Sequence, residues 1–433
     1  MNKEKLKNII FVFIISFLPQ LIVLITSPKI LFWDEYAYLD NIKHVLFNTP
    51  YFEYYRFPLL WWILTPIAYI TSFNIFIMKL LLISIFSIST IFLYKIIEDK
   101  NYIINYILII FYSINGLILI WGSRIYPDIL ATSFLIISLY FYIKNNKERN
   151  TLLSSLFAVL SVLAKYEYGL IYIPYLIFSK NKERIKIIIY SLIFAIPYFL
   201  YNIIFYHNPI YIFIQQARVV YEYSIYQSPL VLIYYLLIFS GIYLLSLIQR
   251  IKEDKYKVVY FYTIISLIYI TFLVKSKDPR YLLMVLPTFI ILTKLFIDKL
   301  KGFKMPYFIL FTISGIISFY YGFIYLLNYN TNLSNTSLNY IYRASIFLDQ
   351  YKPKVILTNY LWPMVAYYTD SQVYIMYNTT YLLNRVYPQY IIYTPNCGLD
   401  YPFNPENYNL SLIYYYIDPS SCSVYIYKVN GYT

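Results

Sequence analysis

The sequence predicts an α-helical polytopic membrane protein of about eleven spans, carrying a small C-terminal extracytoplasmic α/β domain. Three observations carry this reading. Hydrophobic residues make up 60% of the chain and charged residues only 13%, about half the usual share for a soluble domain. Apolar stretches of roughly 20 residues, the length that crosses a hydrocarbon core, recur over the first three-quarters of the chain. After about residue 328 the texture turns polar and these stretches stop.

The first apolar run, 9–32, follows Lys3, Lys5 and Lys7. It is longer than a signal core and no small-x-small cleavage site precedes Trp33-Asp34-Glu35, so a retained span is expected. Further full-length runs occupy 75–97, 185–206, 229–248, 258–274 and 307–327. The shorter runs 152–164 and 169–178 read as a tight hairpin with Lys165-Tyr166-Glu167-Tyr168 at its tip. The run 58–70 is also short, and parity requires it to be interfacial or re-entrant.

Basic residues cluster in short loops between these runs: Lys144/Lys147/Arg149, Lys180/Lys182/Arg184/Lys186, Arg250/Lys252/Lys255/Lys257 and Lys299/Lys301/Lys304. The positive-inside rule puts them, with the N-terminal lysines, in the cytoplasm. The segments left outside are 33–57, 122–128, the tip near 165–168, 207–227, 275–280 and everything after about residue 328. The net charge of +14 is thus spent on membrane anchors, and no nucleic-acid partner is expected.

The chain divides into a membrane domain, 1–328, and an outer domain, 329–433. Short β-rich stretches at 354–359, 372–377, 390–394 and 423–429, with a helix over 338–350, give the outer domain its α/β character. Its Asn-x-Ser/Thr sequons begin at Asn332, Asn335, Asn378 and Asn409, and both cysteines, Cys397 and Cys422, lie in it. Sequons and a cysteine pair fit an oxidising exterior, where the two cysteines are expected to form a disulfide.

Ionisable groups recur on the outer side, where charge at a membrane boundary is costly without a task. Asp34 and Glu35 follow the first span, and Arg56 closes the first outer segment. Arg124 and Asp128 sit between two spans, Lys165 and Glu167 occupy the hairpin tip, and Lys275, Lys277, Asp278, Arg280 and Tyr281 precede another span. Carboxylates with several cations at one face are the inventory for holding a lipid phosphate and activating a hydroxyl. Each group also has a plainer role open to it: a helix cap for Asp34 and Asp128, an interfacial anchor for the arginines. His44 and His207 stand alone without ligand spacing, so no metal site is expected from them.

In their order along the chain these residues resemble the GT-C superfamily of membrane glycosyltransferases, in the branch of the protein O-mannosyltransferases and the lipid A aminoarabinose transferase. The resemblance rests on Asp34-Glu35, on Arg56-Phe57-Pro58-Leu59-Leu60-Trp61, and on Ser123-Arg124-Ile125-Tyr126-Pro127-Asp128-Ile129-Leu130. Lys277-Asp278-Pro279-Arg280-Tyr281-Leu282-Leu283 is a fourth block, and Leu163-Ala164-Lys165-Tyr166 resembles the family's Leu-x-Lys hairpin tip. The single Pro58 after a Phe, where relatives often show Lys-Pro-Pro, and the late Pro287 are departures that bear on the shape of the donor pocket.

The resemblance implies an inverting transfer of a sugar from a polyprenyl- or dolichyl-phosphate donor to a hydroxyl of a protein, glycan or lipid acceptor at the outer face. Asp34 would be the base. Glu35 and Asp128 would orient the acceptor or sugar, or hold a divalent cation, although a monophosphate donor requires no cofactor. Arg56, Arg124, Lys165, Lys277, Arg280 and Tyr281 would bind the donor phosphate or substrate. The rival from another class is a polytopic transporter or flippase for a lipid-linked sugar or small solute. Such a protein carries charges near the midplane and similar halves, whereas here the charges gather at one face and no internal repeat is evident.

Overall fold

The structure is a computed structural model, and it describes residues 3–27, 30–99, 101–144, 147–223, 225–300, 304–332, 337–397, 399, 401, 403–417 and 422–431. Along the chain run helices α1 (Lys3–Thr26), α2 (Trp33–Phe47), α3 (Leu59–Ile70), α4 (Ile75–Ile97), α5 (Tyr102–Ser113), α6 (Gly116–Trp121), α7 (Pro127–Ile143) and α8 (Glu148–Ala164). They are followed by α9 (Tyr172–Phe178), α10 (Asn181–Tyr206), α11 (Tyr211–Tyr223), α12 (Pro229–Phe239), α13 (Asp254–Ile268), α14 (Leu286–Lys299) and α15 (Lys304–Asn332).

Among the described residues α1, α4, α10, α13 with its extension to Leu273, and α15 are long and apolar enough to cross a membrane. Helix α12 and the 3₁₀ helix Gly241–Ile248 are long and apolar enough only when taken together, and the 98° bend between them makes the pair either a broken span or a re-entrant loop. The chain is a multi-pass membrane protein. By length and composition the described residues hold five or six candidate spans, and α3, α5 and α7 are shorter apolar helices. The bend lies at Ser240–Gly241, where Gly241 has a φ of +33° and a Cβ would come 2.2 Å from Ser314 Oγ, so only glycine fits.

Two units are distinguished. The first comprises the residues up to Thr26, Tyr55–Leu60 and Asn74–Leu326. Its helices pack through small and hydroxyl side chains, as helices in lipid do where apolar burial gives no drive to associate. Ser138 Oγ donates to the Ser154 carbonyl at 2.8 Å and meets Tyr175 Oη at 2.8 Å, and Ser161 Oγ donates to the Ala131 carbonyl at 2.8 Å. These bonds fasten α8 and α9 to α7. Gly322 of α15 lets the backbone approach α6 closely, since a Cβ there would lie 2.4 Å from Gly116 Cα.

The second unit comprises Ser27–Tyr54, Trp61–Phe73 and the chain from Leu327 onward. After α15 it continues as α16 (Ser337–Asp349), β1 (Val355–Thr358), α17 (Trp362–Thr369), β2 (Gln372–Ile375), α18 (Thr379–Val386), β3 (Tyr390–Tyr393), β4 (Leu410–Tyr416) and β5 (Val424–Val429). The sheet order is β2-β1-β3-β5-β4; β1 pairs in parallel with β2 and β3, and β5 is antiparallel to β3 and β4. Helices α17 and α18 make the two crossovers that parallel neighbours require. Leu357, Met376, Leu382, Leu383 and Ile391 form a buried core against one face. A disulfide joins Cys397 to Cys422, whose Cα atoms are 5.3 Å apart. Asn378 caps α18, accepting from the Tyr381 N–H at 3.1 Å; Asn335 and the side chain of Asn332 lie outside the described residues.

The first segment read as an outer loop, 33–57, is in large part the helix α2, and its residues up to Tyr54 belong to this second unit. Trp33 meets Trp362 edge-on with ring centroids 4.4 Å apart, and Tyr36 Oη lies 3.1 Å from Tyr368 Oη. Lys43 donates to the Tyr367 carbonyl at 2.8 Å and pairs with Asp370. Trp362 Nε1 donates to Glu53 at 3.2 Å. Helix α2 therefore packs on α17 of the C-terminal domain, which puts both on the same side of the membrane.

Candidate active site

Within the first unit the nominated residues gather around the hairpin tip. Helix α8 ends at Ala164, a 3₁₀ turn covers Tyr166–Ile171, and α9 follows. Lys165, at the break, extends to Asp128 in the first turn of α7, with Nζ 2.5 Å from Oδ1 and the side chains 13% and 3% exposed. Pro127 at the first helical position explains why Asp128 sits there: its ring presets the helical φ and its missing N–H is not needed. Tyr168 Oη fixes the tip to α7 through Thr132 Oγ1 at 2.7 Å and the Asp128 carbonyl at 3.3 Å.

Tyr281 lies beneath this pair. Its buried ring is 4.4 Å from Lys165 Nζ, a cation–π contact in a desolvated setting. Burial works against the Lys165 charge, but Asp128 and then Glu167 outweigh it and raise its pKa. Glu167, almost fully buried, has its pKa raised by burial, opposed by Lys165.

Arg124 and Arg280 share one aromatic platform. The Arg124 guanidinium lies 4.8 Å from the Trp121 ring, and the Arg280 guanidinium lies 5.8 Å from the same ring and 5.4 Å from Tyr126. Asp278 caps the turn, accepting from the Arg280 N–H at 2.9 Å, and its carboxylate is 3.3 Å from Arg280 Nε. Two guanidinium groups beside one indole ring, against their mutual repulsion, suit an anion with several acceptor oxygens. The Arg56 block reaches the same tip, for Phe57 lies 5.8 Å from the Tyr166 ring and stacks on Tyr198 at 5.8 Å, while Arg56 itself is half-buried beside Tyr55.

Lys277 requires a correction. Read from the sequence as a phosphate-binding cation, it is 2% exposed and donates to the carbonyls of Ile270 at 2.9 Å, Thr271 at 2.8 Å and Val274. Those carbonyls belong to the π-helical end of the span that begins with α13, so the ammonium is spent closing a helix terminus. Tyr281, also nominated for substrate, meets Lys165 through its ring face. Trp121 was not found from the sequence, because it ends an apolar run and reads as an interfacial aromatic; the Gly-Ser-Arg that follows was the only signal.

Asp34 and Glu35 lie in the second unit, in the first turn of α2. Asp34 is half-buried. Glu35 is 1% exposed and its Oε2 accepts the Phe32 N–H at 3.0 Å, closing the start of the helix. Among the described residues no group of three His, Cys, Asp or Glu could hold a metal ion.

No family model matches the chain, and no curated protein matches it significantly. Solved structures do. ArnT from Cupriavidus metallidurans bound to undecaprenyl phosphate superposes with a TM-score of 0.62 at 10% identity, over 96% of this chain and 97% of that one. The apo state of the same protein gives a TM-score of 0.60 at 10% identity, over 97% of each chain. At that identity the likeness shows the fold alone: the chain has the fold seen in ArnT.

Proposed function

We propose that the chain is an inverting glycosyltransferase, moving a sugar from a polyprenyl- or dolichyl-phosphate donor to a hydroxyl of a protein, glycan or lipid acceptor at the outer membrane face. The observation that carries this reading is the grouping of Lys165, Arg124 and Arg280 around Asp128, Tyr281 and Trp121, in a fold whose solved example binds undecaprenyl phosphate.

In this reading the acceptor hydroxyl attacks the anomeric carbon, the bond from that carbon to the phosphate oxygen breaks, and the lipid phosphate leaves. The hydroxyl proton passes to Asp34. A phosphate is an adequate leaving group without a general acid; it needs cations to meet the charge that develops on it. Arg124 and Arg280 supply these with their planar forks, and Arg56 adds a third. Lys165 holds Asp128, which suits Asp128 to orienting the sugar or acceptor. With the basic loops in the cytoplasm, α2 and the C-terminal domain face outward, where the lipid-linked donor is presented and nucleotide sugars are absent.

The test is transfer from a radiolabelled polyprenyl-phosphate sugar by purified protein in lipid nanodiscs. Asp34→Asn keeps size and hydrogen bonding but removes proton acceptance, so turnover should fall by about 10²- to 10⁴-fold with donor binding retained. Arg280→Ala should instead weaken donor binding by roughly 10- to 150-fold, the worth of a hydrogen bond to a charged group. A transporter or flippase has no reason to divide its defects in this way. Wild-type transfer by folded Asp34→Asn protein would remove Asp34 as the base.

A further inference from the structure

We propose that the C-terminal domain carries a saccharide-binding site, formed by α18 and the turn that leads into β4, which takes a neutral pyranose ring. A pocket of about 220 Å³ opens there, smaller than the roughly 300–1,000 Å³ of sites for drug-sized ligands and of a size for one sugar residue.

The sequence builds it in two pieces. On α18, Thr380, Leu383 and Asn384 recur at i, i+3 and i+4 and so share one helical face. Across from them, Asn404 accepts from the Glu406 N–H at 3.1 Å and shapes the turn Pro405–Asn407, which delivers Asn407, Tyr408 and Asn409 to the rim. Thr380 Oγ1 and Tyr408 Oη lie 3.0 Å apart and tie the two pieces together. The Tyr408 ring is held by Phe403, stacked at 5.7 Å.

The lining has the chemistry of a sugar site. Leu383 and Leu410 give it an apolar floor that matches the C–H face of a pyranose. The amides of Asn384, Asn407 and Asn409 each donate and accept, as neighbouring hydroxyls on a ring do. None of these three makes a side-chain hydrogen bond among the described residues, so their capacity is available to a ligand. No ionisable carboxylate, amine or guanidinium lines the pocket, which selects a neutral ring over a phosphate or a carboxylate. Beside it a shallower depression shares Thr380 and Asn384 and adds Tyr381 and Arg385. Tyr381, 44% exposed, lies at this depression with the Arg385 guanidinium over its ring at 5.4 Å.

The site is separate from the proposed chemistry, so it is tested without donor. Saturation-transfer NMR on the full-length protein in nanodiscs, with chitotriose and maltotriose as probes, should show saturable binding of at least one. Each neutral hydrogen bond is worth a factor of roughly 2 to 12, so Asn384→Ala/Asn407→Ala should weaken that binding by about tenfold or more. Asn384→Trp, at an exposed helical position, should block the pocket and leave the fold intact, checked by an unchanged thermal midpoint. Inorganic phosphate should not compete. Absence of saturable binding to either probe, binding unchanged in both variants, or displacement by phosphate would each overturn the proposal.

Discussion

Lys165 Nζ stands 2.5 Å from Asp128 Oδ1 in a setting nearly closed to solvent, with the Tyr281 ring on the ammonium. A pair so placed is costly to break from one side, because the partner left behind is an uncompensated charge. Lys165→Met should therefore destabilise the protein by about 3–5 kcal/mol, and Asp128→Leu by a similar amount. The double variant Lys165→Met/Asp128→Leu removes both charges and should recover much of the loss. Thermal unfolding in detergent measures all three; strictly additive losses in the double variant would show that the pair is not coupled.

Glu167 sets up a pH dependence two residues along. Burial raises its pKa above the ordinary carboxylate range, so the folded state holds its proton more tightly than the unfolded chain does. The stability this contributes is present below the ordinary carboxylate pKa of about 4.3 and is lost as pH rises through the raised value. Glu167→Gln cannot ionise and should escape that loss. The variant should be more stable than the native protein at pH 8, with the difference shrinking toward pH 5, as read from thermal midpoints across that range. A difference that is constant with pH would show that Glu167 does not titrate there.

The orientation has a direct check. The cytoplasmic assignment of the basic loops shields a cysteine at Lys147→Cys from a membrane-impermeant thiol reagent in intact cells. Cysteines at Asn430→Cys and at Val45→Cys, which is half-exposed on α2, should both be labelled. Because α2 packs on α17, the last two positions must agree with each other whichever way the chain inserts. Labelling of Lys147→Cys alone would invert the topology and with it the side on which the site is placed.

Much of the architecture was legible because hydropathy and length are local properties. The run 75–97 coincides with α4, and 390–394 differs from β3 by a single residue. Helix α2 was not legible: Trp33-Asp34-Glu35 through Leu46-Phe47 mixes charged, aromatic and apolar residues too evenly for a membrane run, and α17 decides what it packs on. Nor was α11, an amphipathic helix within 207–227 that is too polar to span. In the sequence the nominated groups could be read only as a set of residue types. Their division of labour was not legible. Lys277 and Arg280 are three apart in one charged block, yet one closes a helix end on three carbonyls and the other lies over Trp121. That distinction depends on where the span beginning with α13 breaks, which no property of the block itself records.

Glu35 poses the same question beside the nominated base. Its Oε2 accepts the Phe32 N–H at 3.0 Å with the side chain 1% exposed, so the structure gives it a capping task at the start of α2. A cap needs an acceptor oxygen and no charge, whereas a cation ligand or a proton acceptor needs the carboxylate. Glu35→Gln keeps an oxygen at the same reach; it should hold the thermal midpoint near the native value and leave sugar transfer within a few-fold. Glu35→Ala removes the acceptor and should cost about 0.5–2 kcal/mol, the usual worth of a helix cap, with transfer lowered only in proportion to the folded fraction. A folded Glu35→Gln protein whose turnover drops by about 10²-fold or more would instead place Glu35 in the chemistry with Asp34. Rescue of that variant by added divalent cation, or its absence, would then separate metal binding from proton transfer.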